Sequence, residues 1–291
     1  MRFSIRLVLL ISLFMIELQT RVLADEKPTL NADVLKAVEY LDKNYGNLGY
    51  GLSALTHDIT FGNNGILKAQ KPPLTMCVAA QYEVLAQALQ LYYEESSDDS
   101  PFHFIPKISW ERLRPLDLRG QIWQVSNSPS HGAADAFTNY GIGERISFKD
   151  LQPGSFLNFN RTNGSGHAVI FLGFLDKDGN DLKKYSDQVG GFWYFSSNGR
   201  PNAPGGGLAY RWAFFSDVPC PTLSDGRKRD CGVMRKEKDN FLVGGVLWSP
   251  TVWDQSKAAS QLSQLRDATD PAMLTEGVFR DNYFTGVGTD D

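Results

Sequence analysis

The feature that most constrains this chain is a change of hydrophobic rhythm near residue 141. Before it, apolar residues recur at helical spacing; after it, they gather into short β-branched and aromatic runs divided by turn residues. Asn31 and Asp33 precede the helical set Val34, Leu35, Val38 and Leu41, which stops near Gly46. Residues 49–65 read as loop. After Pro72-Pro73, the spacing of Val78, Tyr82, Leu85, Ala86 and Leu89 predicts a helix through about Tyr93, with Thr75 as its N-cap and Cys77 in its first turn. Residues 109–125 predict a helix broken at Pro115, and 133–140 a short helix closed by Gly141. Strands are expected at 155–159, 168–174, 191–196, 207–215 and 241–248, then a helix over 255–265 and a tail. The expected fold is α+β: N-terminal helices packed on an antiparallel sheet, with a C-terminal extension.

At the N-terminus, Arg2 and Arg6 precede an apolar run from Leu7 to Ile16, and Val22-Leu23-Ala24 offers a cleavage site. Residues 1–24 are therefore expected to be a signal peptide, the run being too short to span a bilayer comfortably. Their removal takes away three arginines and Glu17, moving the formal charge from −4 to −6. The product is expected to be secreted or periplasmic, without stable membrane insertion. No basic cluster exceeds Arg227-Lys228-Arg229, which leaves nucleic acid without an electrostatic footprint and reads as a solvated loop. The organisation expected is one domain over 25–219, with 220–291 contributing a disulfide loop, a last strand, a helix and a tail to the same domain.

Three cysteines in an oxidising compartment leave at least one outside any intramolecular disulfide. Cys220 and Cys231 flank a polar segment containing Asp225-Gly226, and their pairing would close it as a surface loop; the alternative is that both are reduced. If they pair, Cys77 is the odd one out.

A thiol attacks as thiolate, and the amides and dipole at a helix start favour that anion. Cys77 is placed for this, and rapid alkylation at neutral pH is expected of it. Its ordinary reading is a small core hydrophobe. His167, at the mouth of the strand that continues through Phe174, is the candidate base; its ordinary reading is a satisfied structural histidine. A third group must fix the imidazole tautomer. Ser196-Ser197-Asn198-Gly199 ends an aromatic run, and Asn198 is the first candidate, with Ser197 or Ser196 as rival; a plain turn is the other reading. Gln121, Tyr82 and the Cys77 amide are chemical-type candidates for an oxyanion site. Zinc-spaced histidines, Cys-x-x-Cys, a phosphate loop and a Gly-x-Ser-x-Gly elbow are all missing, so no metal or other cofactor is expected.

A cysteine at a helix start, then Leu151-Gln152-Pro153-Gly154-Ser155-Phe156, then Gly166-His167-Ala168-Val169-Ile170-Phe171-Leu172-Gly173, resembles the NlpC/P60 and CHAP-like group of papain-fold cysteine peptidases and amidases. The resemblance spans roughly residues 75–210. It implies Cys77 as nucleophile, His167 as general base, Asn198 as orienter, and cleavage of amide bonds, commonly in peptidoglycan peptides. Ser155 stands where that group usually has aspartate, Val78 follows the cysteine instead of Ser or Gly, and the distance in sequence from Cys77 to His167 is long. Two other classes stay open. One is a secreted glycan- or peptide-binding protein without turnover, gripping ligand on Trp193, Tyr194, Tyr210 and Trp212; the other is a thiol acyltransferase or transglutaminase-type enzyme. The sequence is silent on any accompanying inhibitor protein.

Overall fold

A computed structural model describes residues 27–51, 55–200, 204–223, 225–267 and 289–290. The expected signal peptide therefore lies outside the described residues, as does most of the C-terminal tail. The helices are α1 (Asn31–Tyr45), α2 (Cys77–Ser96), α3 (Ser100–Phe104), α4 (Lys107–Glu111), α5 (Leu118–Ile122), α6 (Ala133–Tyr140) and α7 (Gln255–Asp267). The strands are β1 (Ile59–Thr60), β2 (Ile66–Leu67), β3 (Gly143–Ile146), β4 (Phe156–Asn160), β5 (Ser165–Asp176), β6 (Asp181–Leu182), β7 (Val189–Asn198), β8 (Gly207–Phe215), β9 (Arg229–Val233), β10 (Leu242–Leu247) and β11 (Thr289–Asp290). β1 and β2 form a small hairpin, β1 inside the stretch read as loop and β2 just beyond it.

The fold is α+β. Its main sheet runs β3-β10-β4-β5-β7-β8-β9, with β6 and β11 also pairing β5. Most pairs are antiparallel, but β9 lies parallel to β8 and β11 parallel to β5, which departs from the all-antiparallel expectation. The predicted strand at 241–248 is β10, inserted between β3 and β4, so the C-terminal extension completes the same sheet. Among the described residues, no helix is long and apolar enough to cross a membrane.

α2 is buried from Cys77 through Gln90, a helix enclosed on all sides. Its polar residues reach neighbouring segments. Gln81 Nε2 donates to the carbonyls of Leu157 and Val169, at 3.0 and 2.8 Å, stitching the helix to β4 and β5. Glu83 accepts from the amide and hydroxyl of Thr56, and Gln90 Oε1 from the Gly62 amide. Along β5, Ala168 and Ile170 join the helix-facing core that holds Cys77, whereas Val169 and Phe171 join a second cluster with Phe159, Phe192 and Tyr194. Because both faces are covered, β5 and β7 read as unbroken apolar runs.

The cap of α2 differs from expectation: Met76 occupies the N-cap position and no side chain caps the helix. Thr75 instead gives its carbonyl to Ser197 Oγ at 2.7 Å. The break at Pro115 is real and separates α4 from α5. α6 ends on Gly141 in the left-handed conformation, with φ of 69°, which glycine adopts without steric cost.

Candidate functional site

β5 carries His167 and β7 carries Asn198, and the two strands part company between them. Their pairing begins at Ile170↔Phe195 and runs toward Asp176↔Val189, leaving residues 165–169 outside it. In this fork Ser196 Oγ donates to the Ala168 carbonyl at 2.6 Å, and β11 pairs with Ser165 and Gly166. β4 pairs with Gly166 from its other side, so β11 takes the side that β7 has left.

The start of α2 is fixed to this fork at two points. The bond from Ser197 to the Thr75 carbonyl lies two residues before Cys77 and one before Asn198. The bond from Gln81 to the Val169 carbonyl lies one helical turn after Cys77 and two residues after His167. The histidine ring continues the Val169 and Phe171 side of β5, packing edge-on against Phe159 and Tyr194 at centroid distances of 5.6 and 5.4 Å. Cys77 and His167 thus come to the fork from different sides of the sheet, and both are 0 % exposed. Rapid alkylation of Cys77 is corrected by this burial, since reagent must wait for local opening.

His167 Nε2 lies 3.2 Å from Asn198 Oδ1. Ring tautomer and amide orientation follow from the surroundings. Asn198 Nδ2 faces the carbonyls of Ser196 at 2.8 Å and Ala209 at 3.4 Å, groups that only accept, so Oδ1 must be the atom turned to the ring. An oxygen acceptor there requires a proton on Nε2, and in the neutral imidazole the lone pair is then on Nδ1.

Behind Asn198 lies a polar chain. The Tyr194 hydroxyl stands 3.0 Å from Asn198 Oδ1 and 2.7 Å from Asp230 Oδ2. Asp230 is clamped by Arg161, with Nε and Nη2 each 2.6 Å from a carboxylate oxygen. Burial pushes the Asp230 carboxyl up, but the Arg161 charge and hydrogen bonds outweigh it and hold the group below its ordinary value. Cys231, the next residue, is bonded to Cys220 with Cα atoms 5.9 Å apart, so the expected disulfide is present.

The remaining expected site residues fall elsewhere. Tyr82 donates to the Trp110 carbonyl at 2.5 Å and packs on Trp110 and Trp123, about 140° round the helix from Cys77. Gln121 is 0 % exposed; it donates to the Leu116 carbonyl and accepts from Asn139. Both belong to the helical core. Trp193 stacks on Trp212 with planes 11° apart, and Tyr210 lies 6.1 Å from Trp193. Tyr194 is not part of that ladder: it faces the buried polar chain. Trp193 is five residues, about 17 Å of extended strand, from Asn198. The basic triplet is not simply solvated, since Arg227 lies over Trp212 and donates to the Gly179 carbonyl.

Asp230, Tyr194 and Arg161 went unnoticed in the sequence as a polar chain behind Asn198. β9 is short and lacks alternation, and nothing local places Asp230 beside Arg161, 69 residues earlier. Among the described residues, no group of three or more His, Cys, Asp or Glu side chains is arranged to hold a metal ion. Comparisons with protein-family models, with curated proteins and with solved structures find no match to this chain.

Proposed function

We propose that the protein is an exported cysteine hydrolase of papain-like type that cleaves amide bonds, with Cys77 as nucleophile, His167 as base and Asn198 as orienter. The observation that carries the reading is the fixed amide of Asn198. By holding the proton on Nε2, it leaves Nδ1 as the ring's basic nitrogen, the one that a nucleophile's proton must reach. Nδ1 takes the Cys77 proton as sulfur attacks the amide carbonyl, and the imidazolium returns it to the leaving amine. Water then cleaves the thioester with His167 again as base. Burial of Cys77 and His167 makes exposure of the sulfur a step of the cycle.

The substrate class rests on the likeness in sequence to the NlpC/P60 and CHAP-like group, and peptidoglycan stem peptides are the first substrate to try. The stacked pair Trp193 and Trp212, half-buried on the sheet, suits an extended glycan or peptide running along β7.

The test is to incubate protein lacking residues 1–24 with peptidoglycan and, separately, with an unrelated protein, and to identify the fragments by mass spectrometry. New amide-derived ends made by the parent and lost in Cys77→Ala are expected. Equal fragments from both proteins would sink the reading. An added amine appearing in the product would move it to acyl transfer.

A further inference from the structure

The polar chain behind Asn198 is longer than a histidine base requires. We propose that Tyr194 and Asp230 are positioning residues that fix the tautomer and orientation of His167 through Asn198, with the disulfide-tied strand β9 as their anchor; the inference rests on the hydrolase reading only for its effect on turnover.

Asn198 Oδ1 sits between two groups, the His167 ring at 3.2 Å and the Tyr194 hydroxyl at 3.0 Å. Tyr194 has one proton and two acceptors. The charged carboxylate of Asp230 is closer, at 2.7 Å, and is the stronger acceptor. Committing that proton to Asp230 leaves Asn198 Oδ1 to accept from His167. Without Asp230, the hydroxyl would turn its proton to Asn198 Oδ1, whose two lone pairs would then serve two donors, weakening its hold on the ring.

Asp230 is held for this task. Arg161 binds both carboxylate oxygens, its third nitrogen donates to Ser165 Oγ at 2.9 Å, and its guanidinium lies over Phe159. Ala213↔Asp230 pairing sets the aspartate in register with β8, and Cys231 ties the next residue to Cys220. Among the described residues, the titratable and charged groups in this chain are Asp230 and Tyr194, with Arg161 on its far side.

The experiment uses full-length mature protein with 15N-labelled imidazoles, comparing the parent with Tyr194→Phe and Asp230→Asn. Two-bond 1H–15N correlation spectra report the His167 tautomer directly, and thermal melts establish that each variant is folded. The parent is expected to hold the proton on Nε2 across neutral and alkaline pH. Asp230→Asn is expected to populate both tautomers. Tyr194→Phe, which removes the hydroxyl and so cuts Asn198 off from the carboxylate, keeps the Nε2 proton but allows wider ring motion, read as broadened His167 signals. On a cleavable substrate, Asp230→Asn should lower kcat about tenfold with KM unchanged. The same tautomer in folded Asp230→Asn as in the parent would overturn the inference. A tautomer change without any Cys77-dependent cleavage would support it while removing the hydrolase reading.

Discussion

Glu83 offers the sharpest test of how this core is held together. It is fully buried in α2, and burial pushes its carboxyl up to about 7 against the lowering pull of its bonds from Thr56. The unfolded value is near the ordinary 4.5. Between those two pH values the folded protein keeps a proton that the unfolded chain has released, so stability falls as pH rises. The interval of roughly 2.5 units corresponds to about 3 kcal/mol, all of it lost above the folded value. Glu83→Gln keeps an oxygen acceptor for Thr56 and removes the charge. The variant's stability relative to the parent should rise by about 2.5 kcal/mol from pH 5 to pH 8, a relative gain of about 5–10 °C in Tm for a domain of this size. His57, whose Nδ1 lies 3.9 Å from Glu83, is pushed down by burial. A lowered histidine contributes stability as pH rises toward 6.5, the opposite sign, and comparing both proteins at both pH values isolates the glutamate. Urea melts at pH 5 and 8 provide the four free energies. A difference between variant and parent that changes by less than about 1 kcal/mol from pH 5 to pH 8 would refute the reasoning.

Two further predictions concern the frame of the site. Replacing Cys220 and Cys231 by serine opens a loop with a sequence separation of 11, which should cost about 3 kcal/mol of stability in a thermal melt. Gly132→Ala should cost at least about 2 kcal/mol in urea unfolding, because φ is +111° and the added Cβ would meet Asn158 Cγ at 2.5 Å.

The helices were legible because their apolar periodicity is local. α6 and its Gly141 stop match the prediction residue for residue, and α2 begins with Cys77 in its first turn. The strand carrying His167 and the bond of that ring to Asn198 were readable from an apolar run followed by an abrupt polar end. β3 and β9 were missed since neither alternates, and strand order is a tertiary property that no window of sequence contains. Thr75 failed as a cap because its hydroxyl is turned to the buried Glu83, while Met76 takes the N-cap position. Tyr82 and Gln121 were assigned by chemical type alone, and the core claimed both.

The insertion of β10 between β3 and β4 has a consequence for how the chain is made. Until residue 247 has left the ribosome, β4 presents an open edge bearing Phe156 and Phe159, and β3 has no strand to join. The amide of Leu30 likewise waits for the carbonyl of Leu247. A nascent chain of this protein must therefore be kept from premature association over most of its length, and shortening it to end before Leu242 would yield insoluble material rather than a smaller working unit.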